Sequence, residues 1–412
     1  MGLILSGAPG RLAGVLTLSG SKSSSNRWLI MKALAQSEAP IAGISTSEDT
    51  VYLTKALETT GKEISAGAAG TAMRFLTAYL AQKPGSYLLR GLDRAHERPV
   101  SILVDALRTL GADIRYLEKE GYPPLGINGK KLKGGDLTVD ASVSSQYLTA
   151  LLLIGPYLSN GLNIHWEGAL SSAPYVEQTI VLMREAGIAV GKTNNQLKVA
   201  PGTYALAEVF VEPDWSSAGY WIAFACLLPG ELLLTGLKDN TPQADRRILN
   251  QLSELGLSYQ FETTGLRLTG RSGQVLPDAV QWDFSDCPDL APTQIVLCAA
   301  LGIKGVFTGL KSLRIKESDR LLALQTELAR FGAMLQITAD SAVLSKTAGI
   351  PAKNPMIVDD WQDHRMAMAL SLLVARGHQL VFEKPEVVAK SYPSFWEDLS
   401  KFGFQLKSSD GR

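Results

Sequence analysis

The chain has 412 residues, 46% of them hydrophobic, and carries 40 Lys+Arg against 40 Asp+Glu. That length suits two domains, and the apolar share is enough to give each a core. The charge balance excludes a global basic field that would gather nucleic acid or an anionic membrane, so any anion site must be a local cluster of cations.

The opening residues "MGLILS" match a short myristoylation pattern, but the apolar "LIL" is better read as the start of a strand. No signal peptide and no apolar run of membrane-spanning length is recognisable, so a cytoplasmic protein is expected. Cys226, Cys287 and Cys298 are odd in number and lack CxxC spacing, which fits small core residues in a reducing compartment. The four histidines, His96, His165, His364 and His378, show no metal-ligand spacing.

The stretch "SGSKSSSNRWLIMKALAQ" (19–36) places Lys22, Arg27, Ser21 and Ser23 to Ser25 ahead of an apolar run. The run predicts a buried helix, and one serine suffices to cap it. The spacing fails the phosphate-loop pattern, because Ser21 precedes Lys22 where Gly is required. The remaining serines and the two cations are therefore expected to hold phosphate or carboxylate.

Beyond this point a unit recurs. An amphipathic helix ends near a glycine and leads into a strand, and a helix rich in small residues precedes it. The glycines are Gly61, Gly111, Gly187, Gly256, Gly332 and Gly403, each expected to be a left-handed C-cap. Their spacing is about 70 residues except for the shorter first interval, which predicts a hairpin lost between Gly61 and Gly70. Six units suggest two domains of three units, with the break near "VEPDWSS" (211–217).

The small-residue helices are nearly apolar, and their polar residues sit at the N-termini, where free N–H groups and the dipole favour anions. These are Lys22, Ser23 and Arg27; Gly70, Thr71 and Arg74; Ser144, Ser145 and Gln146; and His364 and Arg365. "LRIKESDRL" (313–321) reads as a helix opening with Lys316, Glu317 and Arg320, and "CPDLAPTQ" puts Asp289 at a helix start. A carboxylate set between two cations can move a proton if its surroundings are dry.

Eight motifs in order, "SGSKSSSNR", "AGTAMR", "ERPVSILVDALRTLGA", "YPPL", "SVSSQYLTALL", "KESDRL", "DHRMAM" and "AKSYPSFW", make the chain resemble the enolpyruvyl transferases nearly end to end. The resemblance implies an α/β fold, a two-domain inverse α/β barrel with three βαβαββ units per domain and the first unit shortened. It assigns 1–20 and 214–412 to a discontinuous C-terminal-type domain and 21–213 to an N-terminal-type domain. It implies transfer of the enolpyruvyl group of phosphoenolpyruvate to the 5-hydroxyl of shikimate 3-phosphate, with no metal or organic cofactor, in a monomer without nucleic-acid or membrane partners. By the same resemblance shikimate 3-phosphate meets Lys22, Ser23, Arg27, Ser144, Ser145, Gln146, Ser172, Asp289, Ser312 and Lys316, with Tyr175 against its ring. Phosphoenolpyruvate meets Lys22, Gly70, Arg98, Gln146, Arg320, Arg365 and Lys390. The catalytic set is Asp289 as base, Glu317 as acid, Lys22 and His364.

Two alternatives stay open. One is the sister activity on UDP-N-acetylglucosamine, which usually has a reactive Cys in the loop that here reads "GLDRAHERP". The other is a non-catalytic anion-binding relative, expected to lose Asp289 or Glu317.

Overall fold

A computed structural model describes residues 2–140, 145–167, 170, 172–270, 273, 275–345 and 355–409, with the side chains of 93 and 94 set aside. The chain divides into two compact units, Gly20–Val211 and Met1–Ser19 with Glu212–Arg412.

Within Gly20–Val211, two four-stranded sheets share one plan. Glu63–Ser65 runs parallel to Gly85–Arg90, which pairs antiparallel with Leu125–Gly129 and so leads to Asp113–Tyr116. Gly135–Asp140, Leu162–Glu167, Gln196–Val199 and Val190–Lys192 repeat that order. The third sheet has two strands, Ile41–Ala42 parallel to Val209–Phe210. The missing pair is the hairpin whose absence the short first interval predicts. After the helix Glu48–Glu58 the chain passes directly to Glu63–Ser65.

In the other unit all three sheets have four strands on the same plan. Two strands come from the chain start. Gly14–Leu16 lies parallel to Glu231–Thr235. Leu3–Ser6 fills the gap between Leu380–Phe382 and Gln405–Ser408, antiparallel to both. Gly20 belongs with the residues that follow it, because a Cβ there would collide with the Gly43 carbonyl.

All six small-residue helices form, at Lys22–Ala35, Gly70–Gln82, Ser145–Ile154, Trp215–Leu227, Ala291–Leu301 and His364–Leu370. Their small side chains let neighbours approach on several sides. Ala291–Leu301 buries Ile295, Val296, Leu297 and Cys298 together, which lie on different faces. Cys226, Cys287 and Cys298 are all buried and outside any disulfide. Burial pushes the Cys287 and Cys298 thiols far above their usual range, which keeps them inert.

The glycine caps hold at Gly111, Gly187, Gly256, Gly332 and Gly403, which have positive φ. Gly61 does not. Without a hairpin to enter, the first amphipathic helix closes on Thr59 in an extended conformation. The two classes should respond oppositely to alanine. Gly111 has φ +98° with open space around its Cβ position, so Gly111→Ala pays only the left-handed penalty, about 1–2 kcal/mol. Gly61→Ala should be neutral or stabilising by up to ~1 kcal/mol, through the unfolded chain. Urea titration of the two variants reads the difference.

Candidate active site

In Gly20–Val211 the polar residues converge at the starts of the helices. Ser21 caps Lys22–Ala35 by accepting from the Ser24 N–H. Two of the remaining serines turn inward: the Ser24 hydroxyl accepts from Gln178 at 3.0 Å and the Ser25 hydroxyl from the Ser45 N–H at 2.9 Å. These two tie the helix to its neighbours instead of meeting an anion, which corrects the sequence expectation. Lys22 lies 3.0 Å from Asp49.

Arg27 is 5% exposed, and its guanidinium is spoken for. It donates to Thr179 (2.8 Å) and to the carbonyls of Ser23 (2.7 Å) and Tyr175 (2.9 Å). Burial lowers its pKa to about 10. Arg74 donates to the Gly70 and Pro99 carbonyls and to Gln146 Oε1 at 2.7 Å, and stacks on Tyr147. Gly70 opens its helix with no side-chain cap, and a Cβ there would strike the Arg98 guanidinium. Glycine at 70 is what lets Arg98 lie across the helix end. Ser145 begins its helix. Ser144 lies outside the described residues. Ser172 holds φ 55°, ψ 43°, a left-handed conformation uncommon for serine, at the head of Ala173–Glu185.

The other unit builds a denser cluster. Asp289 sits in a 3-10 turn, Pro288–Leu290, and does not cap the following helix. One carboxylate oxygen is 3.0 Å from Arg320 and 3.2 Å from Lys316, and the other is 3.2 Å from Arg365. Arg320 also donates to Glu317 at 2.7 Å and grips Asp363 through Nε (2.7 Å) and Nη2 (3.1 Å). Lys390 lies 3.9 Å from Glu317. His364 is buried, with Nδ1 3.7 Å from Asp363. The Ser312 hydroxyl is buried with no partner among the described residues.

"KESDR" departs from its predicted conformation. The helix begins only at Arg320, capped by Asp319, so Lys316 and Glu317 lie in the preceding segment and are not i,i+4 helix neighbours of Arg320. Extended backbone at Lys316 sends its ammonium to Asp289. Burial would raise the Asp289 carboxyl, but Arg365, Lys316 and Arg320 outweigh it and hold the carboxyl far below the usual range. Burial would likewise lower the Arg320 pKa; Asp363, Glu317 and Asp289 raise it instead. Among the described residues no group of three or more His, Cys, Asp or Glu side chains is placed to hold a metal ion.

The EPSP synthase (3-phosphoshikimate 1-carboxyvinyltransferase) family pattern matches residues 7–66 and 57–399. The chain belongs to this family. A 3-phosphoshikimate 1-carboxyvinyltransferase of Bacteroides fragilis is 41% identical over 402 residues, 97% of this chain and 98% of the relative. One from Sulfurovum sp. is 36% identical over 419 residues, covering 94% and 96%. In fold the chain is similar to a solved EPSP synthase from Acinetobacter baumannii, at TM-score 0.80, 21% identity and 99% coverage of both chains. It is also similar to the enolpyruvyl transferase NikO from Streptomyces tendae, at TM-score 0.72, 15% identity and 98% coverage of both. The α/β architecture of this EPSP synthase family member is thus that of the enolpyruvyl transferases.

Two carboxylates, one in each unit, were not singled out from the sequence. Asp49 reads as an ordinary first-turn acid complementing its helix dipole, and Asp363 as an N-cap, a role it does fill for the Arg365 N–H. Only the fold brings them to Lys22 and Arg320.

Two measurements follow from this geometry. Arg27→Lys keeps the charge but offers one nitrogen where Nε, Nη1 and Nη2 each serve a separate acceptor, so it should lower stability by about 1–3 kcal/mol in urea titration without any substrate. Because the folded Asp289 carboxyl is depressed, its stabilisation is complete above its unfolded pKa near ~4 and is lost as pH falls below it. Asp289→Asn should therefore flatten the acid limb of a melting-temperature profile.

Proposed function

We propose that the chain transfers the enolpyruvyl group of phosphoenolpyruvate to the 5-hydroxyl of shikimate 3-phosphate and releases phosphate, the activity for which its family is named. The observation that carries this reading is the Asp289 carboxylate held among Lys316, Arg320 and Arg365, with Glu317 on the same Arg320. Each substrate brings a phosphate and a carboxylate, groups that arginine binds in bidentate fashion and lysine as a point charge.

The chemistry is an addition followed by an elimination. The hydroxyl oxygen bonds to the enol carbon that bears phosphate, while the methylene carbon takes a proton. The carbon–oxygen bond to phosphate then breaks and the methyl gives back a proton, restoring the double bond. We assign the hydroxyl proton to Asp289 and delivery to carbon to Glu317.

A carboxylate pinned by three cations is a weak base. An anionic substrate that draws Arg320 and Arg365 onto itself removes part of that hold, so Asp289 becomes more basic as the hydroxyl arrives. Lys22, which lies 3.0 Å from Asp49, would turn to the substrates' anionic groups. We place the enzyme in the cytoplasm as a monomer with small-molecule partners only; no described helix is long and apolar enough to cross a membrane.

Phosphate release that requires both substrates tests the assignment; release with UDP-N-acetylglucosamine in place of shikimate 3-phosphate would overturn it. Glu317→Gln and Asp289→Asn should each slow turnover roughly a hundredfold or more. Glu317→Gln should also suppress solvent deuterium exchange into the phosphoenolpyruvate methylene, and a wild-type exchange rate would remove Glu317 from the acid role. By calorimetry Lys22→Ala should weaken both substrates, by about 2–5 kcal/mol.

A further inference from the structure

The segment that delivers Asp363, His364 and Arg365 is bent in an unusual way. Trp361 and Gln362, the two residues before it, both have positive φ (56° and 53°). Neither is glycine, and two consecutive left-handed side-chain-bearing residues persist only where their surroundings impose them. Short hydrogen bonds set the turn: Asp359 accepts from the Trp361 N–H and Asp360 from the Gln362 N–H, each at 2.8 Å, and the Asp360 carbonyl accepts from the Asp363 N–H at 2.9 Å.

One buried side chain holds this turn from outside. Glu327 is 0% exposed. Its Oε1 accepts from the Trp361 indole N–H at 3.3 Å, and its Oε2 accepts from the Asp359 N–H at 3.4 Å and from Arg330 at 3.3 Å. Glu327 lies on the helix Arg320–Arg330, two turns beyond Arg320 and on the same face, since seven residues span nearly two full turns. The helix therefore grips the active-site segment twice, through Arg320 on Asp363 and through Glu327 on Trp361. A buried carboxylate is costly unless its acceptors are used. Here they bind the start of the turn at Asp359 and the first of its left-handed residues, Trp361.

We propose that Glu327 and Trp361 are positioning residues for the transfer reaction: their hydrogen bond holds the left-handed turn 361–362 and thereby sets where Asp363 and Arg365 stand. Neither touches the reacting atoms. If the clamp is lost, Trp361 and Gln362 relax toward commoner backbone basins, and Arg365 swings away from Asp289. This rests on the assignment of Arg365 to phosphoenolpyruvate made above.

Trp361→Phe removes the indole N–H and keeps an aromatic ring; Glu327→Gln keeps the shape and loses part of the accepting capacity. Both should lower kcat/KM for phosphoenolpyruvate about tenfold or more, the scale for a modest misplacement of a binding group. The KM for shikimate 3-phosphate should change little. Adding Gln362→Gly to Glu327→Gln supplies a residue at ease with positive φ, and should restore much of the loss. A purely structural role would lower the active fraction and leave both KM values unmoved.

Hydrogen exchange gives a readout independent of activity. Residues 359–366 should lose protection in Trp361→Phe and Glu327→Gln, while the helix Ala291–Leu301 keeps its own. Wild-type kinetics for phosphoenolpyruvate in both variants, or unchanged protection over 359–366, would overturn the proposal. Wild-type protein that fails to turn over the substrates, yet shows the protection change in the variants, would instead count against the functional reading and leave the clamp standing.

Discussion

The guanidinium of Arg320 is the interaction on which the carboxylate cluster of its unit depends. It is 1% exposed, and three carboxylates, Asp289, Glu317 and Asp363, share its donors. Removing such an ion from water costs several kcal/mol even after relaxation, and only near-complete pairing offsets it. A lysine would present a point charge without the flat fork that reaches three partners. The arrangement also explains why the carboxylates stand together. Without a central cation their mutual repulsion would drive one of them to protonate or to turn away.

Arg27 and Arg74 are held differently from the cations around Asp289. In Gly20–Val211 Arg27 and Arg74 are committed largely to backbone carbonyls and neutral side chains, so their positions are fixed by the protein's own hydrogen bonds. In the other unit, arginine and lysine pair with carboxylates that we place in proton transfer. The first arrangement gives rigid donors of positive charge. The second couples charge to protonation, so an arriving anion alters the chemistry as well as the binding.

The repeat was legible because burial imposes it. Each small-residue helix is packed on most sides, so its alanines and glycines stand out, and each hairpin needs a left-handed glycine at the preceding helix end. Gly61 shows the limit: its neighbours resemble the other five, but with no hairpin to enter its backbone follows another path. Of the candidate site, the cations Lys22 and Arg27 were legible because they crowd a helix start, and Gly70 because it opens one. The site was not legible at Asp49, Asp363 or Glu327, whose local readings as first-turn acid, cap and mid-helix residue are complete in themselves. The start of the helix after "KESD" was misplaced for a related reason. The i,i+3 spacing of Glu317 and Arg320 satisfies a helix pairing rule, whereas the fold brings Lys316 and Arg320 together on Asp289, an aspartate from elsewhere in the sequence.

The strand Leu3–Ser6 has a consequence for how the chain is made. It sits between strands near the far end of the sequence, so Leu3 pairs with Phe382 and Ser408. At usual elongation rates it emerges from the ribosome on the order of tens of seconds before either partner. The unit Gly20–Val211 contains all of its own strands and is free to fold in that interval. The short apolar segment ahead of it waits with open edges, a state that invites pairing with the wrong strand. The order of synthesis thus lets Gly20–Val211 fold first, while the sheet that holds Leu3–Ser6 can close only once residues 380–408 have been made.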